Sequence, residues 1–280
     1  MQIQFTKMHG LGNDFVVINA IDQSISLDKA QIQFMGDRHF GIGFDQLLLI
    51  EGSDVEGADF RYRIYNADGG EVEQCGNGAR CFARFVIDEG LSTKTEIPVI
   101  TKTGKIILII EDDENVTVNM GSPELSPDKL PFTADQQAIN YSLNIGQEVV
   151  EFCAISMGNP HAVILVDDID TAGVEKIGKA LQSNPHFPQS VNVGFMQVID
   201  KNQARIRVYE RGVGETQACG TGACAAIVAG RLLNILDETV TAKLNGGDLS
   251  INWQGDASNT NQPVMMTGPT ETVFKGTITL

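Results

Sequence analysis

The sequence predicts an α+β fold of two pseudo-symmetric domains, each a barrel-like mixed or antiparallel β-structure around a central helix. The chain of 280 residues is long enough for about two domains of ordinary size. The stretch RYRIYNADGGEVEQCGNGARC at 61–81 recurs as RIRVYERGVGETQACGTGAC at 205–224, without a gap and at an offset of 144, with nine identities in the nineteen positions from 61 to 79. Most predicted strands are joined by turns rather than by long helical crossovers, which favours α+β over a doubly wound sheet.

Hydrophobic periodicity and turn residues predict the elements of the first half. In order, they are a buried strand at 15–18 after a Gly-rich turn, a short helix from Ser26 or Asp28 to about Asp37, strands at 47–50 and 60–65, a helix after Cys75, and two or three strands in 97–119 with a turn at 112–115. In the helix after Cys75, Ala79, Phe82, Ala83 and Val86 share one face, and Gly90 is placed to end the helix.

The second half repeats this plan. In order, its elements are a strand in 155–168, a helix that Asp170 caps and that continues to about Leu181, strands in 187–199 and at 204–209, a helix after Cys219 that is apolar all round and therefore buried on every side, a hairpin at 245–248, and a last strand at 271–280. Three prolines in 120–132 predict a linker between the halves. The last strand follows a Gly-Pro turn and can return to either half.

Composition excludes several classes of partner and site. With 20 Lys and Arg against 36 Asp and Glu, the net charge is −16, which argues against a nucleic acid or an anionic membrane as partner. The sequence shows no signal peptide and no apolar run long enough for a membrane span, so we expect a cytoplasmic protein. Five cysteines, an odd number, indicate reduced thiols rather than a disulfide framework, and the C-x5-C and C-x4-C spacings with four His argue against zinc or another metal.

The repeated cysteines carry the chemistry. Because Cys75 and Cys219 directly precede G-x-G and a helix, we predict them at helix N-termini, where free N–H groups and the helix dipole stabilise a thiolate and lower its pKa from about 8.5 by about a unit or more. The same N–H groups form a site for an anion such as a carboxylate. The alternative role, a small buried hydrophobe, is our interpretation of Cys81, Cys153 and Cys224, which lie inside predicted helices or a strand.

Two equivalent thiols at one site can form a redox disulfide, or they can act as acid and base on opposite faces of one carbon. The second role fits the pseudo-symmetry better, because a racemase or epimerase removes a proton from one face and returns one to the other, in both directions. The two anion sites would then hold one carboxylate and stabilise the carbanion as its charge develops.

Four blocks of the sequence, FTKMHGLGNDFVVINA, ADGGEVEQCGNGARC, MGNPHAV and YERGVGETQACGTGACA, resemble those of bacterial diaminopimelate epimerases, and the resemblance covers essentially the whole chain. It implies an isomerase that needs no pyridoxal phosphate or other cofactor and interconverts LL- and meso-2,6-diaminopimelate in lysine and peptidoglycan precursor biosynthesis. It also implies a homodimer, for which Phe274 in the last strand is a candidate interface residue. The implied domains are 1–119 with 269–280 and 120–268, with the site in the cleft between them.

Site residues are carried over from the family motifs by position. The resemblance implies that Cys75 and Cys219 are the acid and base pair and that His161 and Glu210 tune their pKa values. The implied substrate-binding residues, for a small amino-acid substrate, are Asn13, Gln46, Asn66, Gly76, Asn77, Asn159, Asn192, Glu210, Arg211, Gly220 and Thr221. Residue chemistry supports this set, since Arg suits bidentate carboxylate recognition and neutral amides supply both donors and acceptors.

Three other functions compete with this hypothesis. A proline racemase would use the same cysteine pair, but Glu210, Arg211 and the asparagines favour a longer substrate with a distant charged end. A thiol–disulfide redox protein or sensor is the second, although the C-x-x-C of common redox proteins is missing. The third is a Gly-rich anion-binding module with inert cysteines.

Overall fold

The computed structural model describes residues 1–72, 75–102 and 104–280 and has the predicted α+β character. In chain order its strands and helices are β1 (Gln2–Gly10), β2 (Asn13–Asn19), α1 (Lys29–Gly36), β3 (Gln46–Gly52), β4 (Phe60–Asn66), β5 (Glu71–Val72), α2 (Gly76–Asp88), β6 (Glu96–Thr101), β7 (Gly104–Ile110), β8 (Val116–Asn119), a 3-10 helix (Pro127–Lys129), β9 (Tyr141–Ile145), β10 (Glu148–Ser156), β11 (Pro160–Leu165), α3 (Val174–Gln182), β12 (Asn192–Asp200), β13 (Gln203–Glu210), β14 (Gly214–Glu215), α4 (Gly220–Leu232), β15 (Thr239–Leu244), β16 (Gly247–Asn252), β17 (Met265–Gly268) and β18 (Glu271–Thr279).

Contacts divide the chain into two compact units. The first is Met1–Asn119 with Thr267–Leu280, and the second is Met120–Met266. The last strand, β18, belongs to the first unit because it pairs antiparallel with β1, from Gln2 opposite Thr279 to His9 opposite Glu271.

The sheet of the first unit wraps around one helix. Its strands are hydrogen-bonded in the order β18, β1, β2, β3, β4, β6, β7 and β8, with parallel pairing at β2–β3 and β4–β6 and antiparallel pairing elsewhere. Helix α2 packs against β1 and β2 near one end of this order and β7 and β8 at the other, so the sheet curves around it. This confirms the barrel-like arrangement around a central helix.

Both faces of β3 are buried, which explains its apolar run of Leu and Ile. Leu47 and Leu49 join the core cluster beneath α1, whereas Leu48 points to α2, where it approaches Gly78. Helix α1 begins at the predicted cap, Asp28, whose carboxylate accepts a hydrogen bond from the N–H of Gln31 in a capping box.

The second unit repeats the ladder. Its strands are hydrogen-bonded in the order β9, β10, β11, β12, β13, β15 and β16, and the parallel pairs β11–β12 and β13–β15 correspond to β2–β3 and β4–β6. Helix α4 contacts β10, β11, β12, β13, β15 and β16. Nearly every residue of α4 is buried, as its apolar sequence predicts. The predicted hairpin forms, with Leu244 opposite Gly247 across a two-residue turn.

Two local predictions are wrong. The segment 120–132 is packed rather than a linker: Leu130 and Phe132 lie in the core of the second unit, and Pro127 begins a 3-10 helix. Helix α3 begins at Val174, not at Asp170, because the Asp170 carboxylate forms a bidentate ion pair with Arg205 of β13 at 2.8 and 2.7 Å.

The helices of the described residues include none with both the length and the apolar character of a membrane span.

Candidate active site

Cys75 and Cys219 occupy the same position in the two units. Each is the N-cap residue, in extended conformation, of a 13-residue helix that begins at the following glycine. The predicted placement at helix starts is therefore confirmed for both. All five cysteines are free thiols, and Cys81, Cys153 and Cys224 are buried, as expected of structural residues.

In the first unit, Cys75 lies among hydrogen-bonding groups. Its Sγ accepts a hydrogen bond from the Gly78 N–H at 3.4 Å and lies 3.8 Å from Oδ1 of Asn13, to which it can donate. The carboxamide of Asn77 also donates to Oδ1 of Asn13, at 3.2 Å. A Cβ on Gly78 would stand 3.2 Å from the Phe15 ring, so glycine lets the helix start approach the sheet closely.

The turn between β1 and β2 places Asn13. Gly10 pairs with Asn13 across two residues of positive φ, Leu11 at 56° and Gly12 at 84°. A positive φ is unusual for leucine, and such strained conformations concentrate at functional sites.

A second polar pair lies on the neighbouring strands of the first unit. Gln46 on β3 is opposite Asn66 on β4, and its Nε2 donates to Oδ1 of Asn66 at 3.1 Å. Two predicted substrate-binding amides are thus held against each other at the ends of adjacent strands.

In the second unit, Cys219 is almost completely buried. Its Sγ lies 3.6 Å from Oγ1 of Thr221, and Nδ2 of Asn159 donates to the same hydroxyl oxygen at 3.2 Å. Since this contact occupies the Thr221 oxygen as an acceptor, the hydroxyl proton is available to the sulfur.

Burial and the Glu210 carboxylate both affect the pKa of Cys219. Burial raises the pKa of the Cys219 thiol well above its ordinary value, and the charge and hydrogen bond of the Glu210 carboxylate raise it further; hydrogen bonds from Thr221 and the Gly222 N–H oppose this only in part. The predicted lowering of the pKa at a helix start is therefore wrong for Cys219, because burial and a neighbouring anion outweigh the helix terminus. A hydrogen bond from the Thr216 hydroxyl at 2.5 Å holds Glu210 in place.

His161 is a buried neutral imidazole. Burial, with the positive charge of Arg211, lowers its pKa to about 3. Its Nε2 lies 3.0 Å from Oδ1 of Asn159, and since Nδ2 of that amide donates to Thr221, Nε2 carries the proton. Nδ1 is then a buried acceptor that has no hydrogen-bond partner within the described ranges.

The side chain of Asn192 is hydrogen-bonded to the main chain at Arg211 and Pro160. Oδ1 of Asn192 accepts from the Arg211 N–H at 2.9 Å, and Nδ2 donates to the Pro160 carbonyl at 3.2 Å. The exposed Arg211 guanidinium donates to the carbonyl of Gln189 at 2.9 Å.

Strand register shows that the predicted residues form equivalent pairs. Phe15 is opposite Gln46 in the β2–β3 ladder, and His161 is opposite Asn192 in the β11–β12 ladder. Counted from these ladders and from the cysteines, the equivalent pairs are Asn13 with Asn159, Phe15 with His161, Gln46 with Asn192, Asn66 with Glu210, Gly76 with Gly220, and Asn77 with Thr221.

Sequence reasoning missed Arg80 and Asp45. The buried guanidinium of Arg80 donates to Oδ1 of Asn77 at 3.1 Å, and the Asp45 carboxylate accepts from Nδ2 of Asn13 at 2.9 Å. The signal for Arg80 was its departure from the repeat, where the equivalent residue is Cys224.

Comparison with known proteins gives the same family as the motifs. The family model of diaminopimelate epimerase matches residues 5–126 and 153–273. The diaminopimelate epimerase of Nitrosomonas europaea is 55% identical over 280 residues, which are all of this chain and all of that protein. That of Thioalkalivibrio sulfidiphilus is 56% identical over 279 residues, 99% of each chain. The chain belongs to the diaminopimelate epimerase family. The resemblance predicted from the four sequence blocks is thereby confirmed.

Two solved structures share the fold of this chain. A PhzF-family phenazine biosynthesis protein from Bacillus anthracis superposes with a TM-score of 0.72 at 14% identity and covers 100% of both chains. A hydroxyproline epimerase from Agrobacterium vitis superposes with a TM-score of 0.70 at 15% identity and covers 99% of this chain and 92% of its own. At these identities the similarity establishes the fold alone.

Proposed function

We propose that this chain interconverts LL-2,6-diaminopimelate and meso-2,6-diaminopimelate as a pyridoxal-phosphate-independent epimerase of lysine and peptidoglycan precursor biosynthesis. The observation that carries the proposal is the equivalent placement of Cys75 and Cys219, each at the start of a buried helix in one of two repeated units. Membership of the diaminopimelate epimerase family supports the choice of substrate.

In this mechanism one cysteine is the base and the other the acid. A thiolate takes the proton from the α-carbon, the electron pair of the broken C–H bond stays on that carbon, and the second thiol delivers its proton to the opposite face. The raised pKa of Cys219 makes it the protonated partner before substrate binds. We assign the role of the base to Cys75, whose Sγ accepts a hydrogen bond from the N–H of Gly78. Reaction in the reverse direction exchanges the two roles.

Substrate binding is assigned to the polar groups around the two cysteines. The helix starts at Gly76–Asn77 and Gly220–Thr221 supply N–H groups for the carboxylate at the reacting carbon. Glu210 and Arg211 bind the remote amino and carboxylate groups, and His161 with Glu210 tunes the thiols. The neutral amides complete the set: Asn13, Gln46, Asn66, Asn159 and Asn192.

We also assign the two contact units to the two epimerase domains and place the enzyme in the cytoplasm as a homodimer. The exposed side chains of Val273 and Phe274 on β18 support a second copy at this strand, and the Phe274 ring lies edge-on to Phe5. Light scattering after gel filtration tests the dimer. A monomer at micromolar concentration argues against it.

The decisive experiment is epimerisation in deuterated, reducing buffer without added cofactor. LL-diaminopimelate should become the meso form, with deuterium from solvent entering the α-carbon, as followed by chiral chromatography and mass spectrometry. Cys75→Ala and Cys219→Ala should each abolish turnover. Cys153→Ala is the matched control, because this buried thiol lies in β10, and it should remain active.

Two outcomes contradict the proposal. Turnover of proline with none of diaminopimelate would assign the chain to another cysteine-pair isomerase. Full epimerisation by either single Cys→Ala variant would exclude the two-base mechanism.

A further inference from the structure

We propose that Asp45 and Arg80 are positioning residues that together fix the orientation of two carboxamides, Asn13 and Asn77, beside Cys75. This inference rests on the proposed function, in which Asn13, Asn77 and Cys75 belong to the substrate site. Asp45 and Arg80 themselves act through the amides.

Four residues form one continuous chain of hydrogen bonds. The Arg80 guanidinium donates to Oδ1 of Asn77 at 3.1 Å, and Nδ2 of Asn77 donates to Oδ1 of Asn13 at 3.2 Å. Nδ2 of Asn13 then donates to Oδ2 of Asp45 at 2.9 Å. This series of hydrogen bonds therefore runs from the Arg80 cation through two amides to the Asp45 anion.

The chemistry of the two ends determines the direction of both amides. A guanidinium has donors but no acceptor, so Asn77 must turn its oxygen to Arg80 and its nitrogen to Asn13. An ionised carboxylate only accepts, so Asn13 must turn its nitrogen to Asp45. Both requirements are met by one arrangement, which leaves Oδ1 of Asn13 facing the sulfur of Cys75 at 3.8 Å.

Arg80 and Asp45, the two ends of this series of hydrogen bonds, are each held in place by further contacts. Arg80 is completely buried, and a Cβ on Gly10 would stand 3.0 Å from its Nη2 atom. Asp45 receives a hydrogen bond from Arg38 at 2.8 Å and one from the Asp14 N–H at 3.1 Å. Arg38 also binds the Asp14 carboxylate in a bidentate pair, at 2.9 and 2.8 Å.

The arrangement is confined to the first unit. In the ladders that align the two units, the residue before Gln46 is Asp45, but the residue before Asn192 is Val191. The repeat likewise has Cys224 where the first unit has Arg80. The surroundings of Cys75 therefore differ from those of Cys219, whose sulfur lies beside the Thr221 hydroxyl and is affected by the Glu210 carboxylate.

Two titratable groups that interact with Cys75 keep their protonation state across the range to be tested. The Tyr62 hydroxyl on β4 and the Cys81 thiol on α2 interact electrostatically with it, and burial raises both pKa values, which keeps the two groups neutral. The guanidinium of Arg80 stays charged at any pH used with proteins.

The test is the pH dependence of Cys75 alkylation by iodoacetamide in Asp45→Ala, measured by mass spectrometry of the Cys75 peptide. Alanine removes the acceptor that holds Nδ2 of Asn13, so Asn13 is then held only from the side of Asn77 and its nitrogen can turn to the sulfur. A thiolate accepts a hydrogen bond from that nitrogen, so the midpoint of alkylation should fall by about half a pH unit.

A double-mutant cycle separates positioning from a direct effect of charge. If Asp45 acts through Asn13, adding Asp45→Ala to Asn13→Ala should leave the alkylation midpoint where Asn13→Ala alone puts it. A further fall in that background would mean that the lost charge acts on the thiol directly, and it would overturn the proposal, as would an unchanged midpoint in Asp45→Ala alone. Asp59→Ala, which removes an ion pair with Lys94 in the same unit, is the matched control and should leave the midpoint unchanged.

The catalytic efficiency of the variants provides a second, independent test of the proposal. Asp45→Ala should lower kcat/KM for diaminopimelate about tenfold, and Asp59→Ala should not. Because alkylation needs no turnover, it tests the positioning role even if the wild-type chain fails to epimerise diaminopimelate. Asp45 is half-exposed, so its substitution leaves the core intact.

Discussion

His161 should make the stability of the folded chain depend on pH, and the substitution His161→Gln should remove that dependence. The imidazole is 1% exposed, and burial lowers its pKa to about 3, from an ordinary value of 6.5. A group whose pKa is lowered by folding contributes stability above its unfolded pKa and loses that contribution as the pH falls toward the folded pKa. Stability should therefore fall on acidification from about pH 6.5.

The size of the loss follows from the two pKa values. Between pH 6.5 and 5.5 the unfolded imidazole goes from half to about nine-tenths protonated, whereas the folded imidazole stays neutral. Integrating the difference in bound protons gives a loss of about 1 kcal/mol in the free energy of unfolding over this interval. Carboxylates that titrate in the native state, such as Asp14 with its lowered pKa, contribute at lower pH.

Urea titrations at pH 7.5, 6.5 and 5.5 measure this loss. Gln keeps a donor near the Nε2 position that binds Asn159, so His161→Gln should fold and lose about 1 kcal/mol less than wild type between pH 6.5 and 5.5. His186→Gln is the matched control: His186 is exposed, so most of the loss should remain. Equal losses in wild type and His161→Gln would refute the assignment of a buried neutral imidazole.

Two further predictions concern Cys219. Gly222→Ala should lower Tm, at a cost of about 1–3 kcal/mol, because a Cβ there would stand 2.8 Å from Val208 and 3.2 Å from the Cys219 sulfur; Gly52→Ala, where a Cβ meets nothing within 4 Å, is the control. Glu210→Gln removes a charge that raises the pKa of Cys219, so alkylation of Cys219 by iodoacetamide should begin at lower pH. An identical pH profile would contradict the role of Glu210.

Elements with strong local signals could be predicted from the sequence. Phe15 to Ile18 form a continuous apolar run and are completely buried in β2, and the Asp28 cap begins α1. The start of α3 could not be predicted, because Asp170 is a suitable cap by residue type and only the fold brings Arg205 within reach. The prolines of 120–132 suggested a linker because nothing local reveals that Leu130 and Phe132 enter a core.

For the site, too, features set by local sequence could be predicted, and features set by contacts that the fold creates could not. The positions of Cys75 and Cys219 at helix starts depend on the adjacent glycines, so local sequence was sufficient. The pKa of Cys219 depends on burial and on Glu210, which lies nine residues earlier and is brought to the thiol by the fold of β13. The amide pair Asn13 and Asn77 likewise meets Asp45 and Arg80 only in three dimensions.

In the proposed mechanism, the repeat and its departures meet different requirements. A reversible transfer of a proton across one carbon uses a base and an acid that exchange roles, and the matched helix starts give the two cysteines equivalent backbone positions. Before substrate binds, however, one thiol must hold a proton and the other must not. Identical surroundings would give both thiols the same affinity for a proton, so the difference has to come from side chains. The first unit places a buried cation in its helix, whereas the second places Glu210 beside its thiol, and both helices still begin directly after their cysteine.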